Sequence, residues 1–155
     1  MSPTPPTPPT GRRPPATWAP VQLFAAVFGA VYLAVAASGF ALTGLSNFAG
    51  HEHSTLIVFG VNPLHNSIHL AMAIAWITVA PSLLWSQRVS IAIGCVFALV
   101  TVAGVIGVLE FLGMMGGLAD PDNLLHLATS ALALYFGTLA TERRRGQAAP
   151  GASAW

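Results

Sequence analysis

Asn62-Pro63-Leu64-His65-Asn66-Ser67-Ile68-His69-Leu70 opens an apolar segment with two histidines and two asparagines in its first turns. Further along, Asp122-Asn123-Leu124-Leu125-His126-Leu127-Ala128 repeats its centre. Asn66-x-x-His69-Leu70-Ala71 stands against Asn123-x-x-His126-Leu127-Ala128. A cap-then-proline pair, Asn62-Pro63 or Asp120-Pro121, precedes each copy. Asn and Asp side chains accept hydrogen bonds from the orphan amides of a helix start, and proline suits the first helical position. Both copies therefore predict sharp helix starts. The segments upstream match more weakly. FGAVYLAVAASG (residues 28–39) over IGCVFALVTVAG (93–104) aligns Gly29 with Gly94 and Gly39 with Gly104. The pattern reads as one helical hairpin used twice in the same orientation, related by an axis along a membrane normal. Its small residues allow close helix approach.

The solvent of that fold follows from composition. Hydrophobic residues make up 54% of the 155-residue chain and charged residues only 7%, against roughly 25% charged in soluble domains. No charged residue lies between Arg13 and Glu52, between Glu52 and Arg88, or between Arg88 and Glu110. A helix needs about 20 apolar residues to cross a bilayer. Four spans are read: Trp18–Gly44, Pro63–Trp85, Val89–Gly113 and Pro121–Ala140. The fold class is therefore all-α, an integral membrane four-helix bundle in a domain covering residues 18–140. All the basic residues are arginines: Arg12 and Arg13, Arg88, and Arg143, Arg144 and Arg145. They share one side if the chain starts inside, with Glu52, Glu110, Asp120 and Asp122 on the other. The positive-inside rule then puts both termini in the cytoplasm of a multi-pass plasma-membrane protein, with Trp18 and Trp85 at the inner interface. Arg88 is placed in a short turn between spans two and three.

The flanks differ in character. Residues 1–17 are Pro/Thr-rich and are expected to be disordered. Residues 141–155 form a basic, then flexible tail. Arg12-Arg13 with Ala34-Val35-Ala36 offers a signal-peptide reading. The length of the apolar stretch and the repeat favour a retained first span. Nothing basic enough for nucleic acid is present. The single cysteine, Cys95, forms no internal disulfide and reads as a small core residue.

The chemistry concentrates at the two helix starts. His65 and His69 are one turn apart on one face, as are Asp122 and His126. His69 and His126 lie roughly 7 to 9 Å along their helices, just inside the apolar layer. Polar residues there usually face the bundle interior and mark function. The bland reading is a hydrogen-bonded clamp of Asn66, His69, Asn123 and His126 tying the hairpins together, with Asn62 and His65 in the same layer. The sharper one is a divalent-metal site. His65, His69 and His126 supply imidazoles, and Glu110 or Asp122 a carboxylate, a set that suits Zn²⁺ or Cu²⁺. His51-Glu52-His53 is a weaker candidate, because an extended loop fixes no third ligand. Glu110 also reads simply as reaching water at the outer end of its span.

These motifs resemble a family of small bacterial membrane proteins known only as a domain of unknown function, common in actinobacteria and with four predicted spans. The resemblance covers most of residues 20–140. Its most specific elements are Val61-Asn62-Pro63-Leu64-His65-Asn66-x-x-His69-Leu70 and Asp122-Asn123-x-Leu125-His126-Leu127. It implies an integral membrane protein and brings no established activity. His51 and His53 fall outside its pattern, so the weight rests on His65, His69 and His126.

Other readings stay open. A b-type haem could sit between His69 and His126, although no arginine on the outer side would hold its propionates. A homo-oligomer could enclose a path for a small molecule or lipid, although below His69 the second span offers only Thr78 as a polar step. A non-catalytic scaffold would use Leu56–Val61 (LIVFGV), an apolar run too short to span. That run reads best as a lid over the Asn/His layer. No nucleophile elbow, phosphate loop, CxxC pair or HExxH occurs, so a catalytic role is not expected. The partner implied throughout is the lipid bilayer.

Overall fold

A computed structural model describes residues 17–49 and 54–147, with side chains through residue 139. The N-terminal proline-rich stretch to residue 16, His51, Glu52, His53 and the chain after Gln147 lie outside the described residues. Four helices account for most of what is described: α1 (Pro20–Thr43), α2 (Pro63–Val79), α3 (Leu83–Val105) and α4 (Pro121–Gln147). A hairpin of β1 (Ser54–Leu56) and β2 (Phe59–Val61) precedes α2, and a short 3₁₀ turn, Glu110–Leu112, follows α3. By length and composition, α1 and α3 can each cross a membrane.

The helices pack chiefly in pairs, α1 on α2 and α3 on α4. Glycines set the approach within each pair. A methyl at Gly29 would come within 2.7 Å of Ile77 Cγ1, and one at Gly94 within 2.8 Å of Leu134 Cγ. Toward the other end, a methyl at Gly39 would overlap the Asn66 amide, and one at Gly104 the Asn123 amide. The aligned residues of the two halves thus make equivalent contacts. Each pair is antiparallel, since its glycines meet the partner helix in reverse order.

Between the pairs lies one core. Phe24, Tyr32, Trp76, Ile93 and Phe97 are buried there with Ala25, Ala73 and Ala133. Phe24 stacks on Phe136 at 5.1 Å and meets Trp76 edge-on at 5.7 Å. The core also has polar joints. Trp76 Nε1 donates to Ser90 Oγ at 3.2 Å, and Ser130 Oγ donates to the Gly94 carbonyl at 2.8 Å. Outward faces are apolar instead: Leu23, Val27 and Val31 on α1, Leu99 and Val102 on α3, Leu124 and Leu127 on α4.

The helix bounds depart from the spans read above in three places. The chain turns at Ala80–Ser82, and Trp85 and Arg88 belong to the start of α3, where the Arg88 guanidinium lies 5.4 Å from the Trp85 ring centre. Pro81 is the cause: it has no amide to donate and its ring clashes with the preceding turn. Ser82 then caps α3 by accepting from the Trp85 amide. Gln22 braces this turn, donating to the carbonyls of Ala80 at 3.1 Å and Pro81 at 3.0 Å. At its far end α3 stops at Val105, well before Gly113: Gly107 takes positive φ just past the helix end, and Gly113, Gly116 and Gly117 do so again in the loop that follows. Lastly, α4 runs beyond Ala140 to Gln147.

Cys95 is a further correction. It is exposed. The buried stripe of α3 runs through Ser90, Ile93, Gly94, Phe97, Thr101 and Gly104, which turns position 95 outward.

Candidate metal centre

Two caps aim the site. The Asn62 side chain accepts from the His65 amide at 2.9 Å and starts α2 at Pro63. Asp120 does the same for α4, accepting from the Asp122 amide at 2.9 Å and from the Met115 amide at 2.6 Å. Since the pairs are antiparallel and run side by side, both starts lie at one end of the bundle. The β-hairpin closes over that end. Its tip is open to the surroundings, with Ile57 85% exposed, while Val61 is buried. Gly60 meets Gly113 backbone to backbone, so closely that a methyl on Gly60 would overlap the Gly113 carbonyl. Asn62 Nδ2 also donates to the Phe111 carbonyl at 2.6 Å, joining the first helix pair to the loop of the second.

Beneath this lid three imidazoles converge. His65, His69 and His126 are each 2% exposed. One ring nitrogen from each lies within 4.8 Å of the others. Ring centres are separated by 4.4 Å (His65–His69), 5.9 Å (His65–His126) and 6.2 Å (His69–His126). Tetrahedral zinc with bonds of about 2.0–2.1 Å holds its nitrogens about 3.3 Å apart. Closing the present triangle onto an ion takes about 1 Å of movement per ring, within reach of χ rotations.

The hydrogen bonding fits that use. His65 Nδ1 lies 3.1 Å from the Gly60 carbonyl. A carbonyl only accepts, so Nδ1 carries the proton and Nε2 the lone pair, the arrangement that orients metal-binding histidines. Neither nitrogen of His69, nor Nδ1 of His126, has a hydrogen-bond partner among the described residues. Buried polar atoms left so are uncommon in native proteins, and ring nitrogens without a partner are free to serve as ligands. A cavity of about 40 Å³ touches all three rings. That is several times the volume a single water needs. Its other walls are apolar side chains, among them Val96 and Val100 of α3, and Met72 of α2.

Aromatic residues of α1 and α3 back the imidazoles in matching fashion. Tyr32 meets His69 edge-on at 5.1 Å, and Phe97 stacks on His126 at 5.1 Å. Tyr32 and Phe97 are aligned positions of the repeat. The two halves differ in the hydroxyl, which donates from Tyr32 to Thr129 Oγ1 at 3.0 Å and bridges α1 to α4. Sequence reasoning overlooked Tyr32, Thr129 and Met72. The signal for Met72 was its position three residues after His69, on the same helix face.

The remaining sequence candidates fall elsewhere. Asn66 Nδ2 donates to Thr43 Oγ1 at 3.1 Å and Asn123 Nδ2 to the Gly117 carbonyl at 2.8 Å, so each asparagine bonds within its own half. Among the described residues, no hydrogen bond links Asn66, His69, Asn123 and His126 to one another, and the clamp drawn from these four is not made. Side-chain bonds that do cross between the halves include Asn62 to Phe111, Tyr32 to Thr129 and Trp76 to Ser90. Glu110 is exposed, outside the histidine cluster. Asp122 is buried but likewise outside it. A haem does not fit between His69 and His126. The cavity of about 40 Å³ is far below the roughly 300 Å³ at which cofactor-sized pockets begin. His65 also stands in the gap the macrocycle would take.

The class that emerges is an α-helical protein of two like halves with a buried three-histidine cluster under a β-hairpin. The chain belongs to the family described as Domain of unknown function (DUF4383), whose family model matches residues 22–139. No curated protein and no solved structure matches it.

Proposed function

We propose that the protein is an integral membrane protein that binds a transition-metal ion, Zn²⁺ or copper, through His65, His69 and His126. The observation that carries this is the convergence of three buried imidazoles, with ligand nitrogens within 4.8 Å and both nitrogens of His69 unpartnered. Three imidazoles with a fourth position left to another donor match the imidazole-rich sites of zinc and copper.

The membrane reading rests on how polarity is sorted. Asn66, Ser86, Ser90, Asn123, Thr129 and Ser130 are buried, while Leu23, Val27, Leu99, Val102 and Leu124 face outward. Water as solvent favours the opposite arrangement; a bilayer rewards this one, because polar side chains find partners only inside the bundle. Arginine placement then argues for cytoplasmic termini, with the histidine cluster and its hairpin at the outer face.

The test is elemental analysis of detergent-purified protein grown with added zinc or copper, beside a His69→Ala/His126→Ala variant. About one metal per chain in the parent and none in the variant is the expected result. Metal-free parent protein overturns the reading. In that case the cluster serves only to order the lid end, together with the Asn62–Phe111 and Tyr32–Thr129 crossings.

A further inference from the structure

We infer that the ion is Cu(I), held by the three imidazoles with the Met72 thioether as fourth donor; this rests on the metal reading above. Two independent features of the cavity lead there, donor softness and charge.

The donor set comes first. Met72 follows His69 by three residues on α2 and lines the same cavity as His65, His69 and His126. The other wall residues, such as Val96, Val100 and Leu112, offer no ligand atom. The available set is therefore three nitrogens and one sulfur. Thioether donors select Cu(I), whereas Zn²⁺ gains little from them. Cu(I) has a filled d shell, so it imposes no square-planar demand on a site built from two helices.

Charge points the same way. All four donors are neutral. Glu110 is exposed, and neither Glu110 nor Asp122 lines the cavity. An ion there receives no compensating negative charge from its ligands. The cost of placing a charge in a low-dielectric site rises with its square, so a bare dication costs roughly four times what a monocation does. Zn²⁺ and Cu²⁺ would need a carboxylate, a thiolate or a bound hydroxide to offset this; Cu(I) does not.

The experiment is an anaerobic competition titration of the detergent-solubilised full chain. Cu(I) is presented as its bicinchoninate complex, and Zn²⁺ in a parallel titration against a zinc-selective dye. Three forms are compared: the parent, Met72→Leu and His69→Ala. The leucine nearly conserves volume and should leave the fold intact; its circular dichroism and melting temperature check this. We expect one Cu(I) per parent chain and much weaker Zn²⁺ binding. Met72→Leu should weaken Cu(I) by at least about tenfold, since Met72 is a direct donor and even a group that only orients a ligand is worth about ten- to a hundredfold, and leave Zn²⁺ unchanged. X-ray absorption of the copper form should show a sulfur neighbour that Met72→Leu lacks. Zn²⁺ bound as tightly as Cu(I), or no sulfur neighbour in the parent, would overturn the copper assignment while the metal site itself stood. No binding of either ion would overturn both.

Discussion

A methyl group added at Gly104 has nowhere to go. It would overlap the Asn123 amide oxygen and come within 2.5 Å of Met114 Cε. Met114 is 1% exposed and Asn123 2%, so neither neighbour can swing into open space. Asn123 is further tethered by its bond to the Gly117 carbonyl. Forcing an extra carbon into a packed site costs about 1–3 kcal/mol. Alanine returns about 0.5–1 kcal/mol of backbone entropy relative to glycine in a helix. Gly104→Ala should therefore lose about 1–2 kcal/mol net. Removing the obstructing amide should relieve part of that loss. In a cycle of Gly104→Ala, Asn123→Ala and the double variant, the pair should couple by about 1 kcal/mol. Unfolding by sodium dodecyl sulfate in mixed micelles, followed by tryptophan fluorescence, measures all four proteins. Gly39→Ala should repeat the result against Asn66, its counterpart in the first half. A neutral or stabilising Gly104→Ala, or strictly additive losses, would refute the close packing of helix backbone on amide.

Three more outcomes follow from other contacts. Tyr32→Phe removes only the hydroxyl that bridges α1 to Thr129 and should cost about 1 kcal/mol in the same micelle assay; an unchanged midpoint would mean the bridge adds nothing. Gly60→Ala would press on the Gly113 carbonyl, so amide exchange at Val61 should quicken while that of the α3 interior stays slow, and uniform exchange would deny the hairpin its role as a separate lid. A reporter enzyme fused after Arg145 should be active only in the cytoplasm, and activity outside would overturn the orientation drawn from the arginines.

How much could be read from residues alone varied with how local the cause was. The starts of α2 and α4 were legible because Asn62-Pro63 and Asp120-Pro121 carry their cap and first helical residue in adjacent letters. The turn between α2 and α3 was equally printed, in Pro81-Ser82. Hydropathy concealed it, since apolar residues continue on both sides and a span length of about 20 residues invites reading past the break. Gly107 likewise marked the early end of α3, inside a stretch hydrophobic enough to pass for helix. Of the site, the three histidines were legible from spacing and repetition. What they touch was not. Asn66 and Asn123 read as parts of one clamp with His69 and His126, whereas each packs against a glycine of its own half, Gly39 or Gly104. Apolar Leu56–Val61 suggested a cover, but its strand pairing, Ser54 with Val61 and Leu56 with Phe59, depends on contacts no local pattern states.

The contact between Gly60 and Gly113 also bears on time. The cavity's flank toward α3 is walled by Val96 and Val100, and hydrocarbon lies beyond it if the helices span a bilayer. An ion cannot leave that way. Departure then waits for the strand holding Gly60 to part from the loop holding Gly113, breaking the His65 bond to Gly60 as it goes. On the metal reading, the opening rate of the lid caps how fast the ion can leave, and the strength of its bonds to the three rings decides how often an opening releases it.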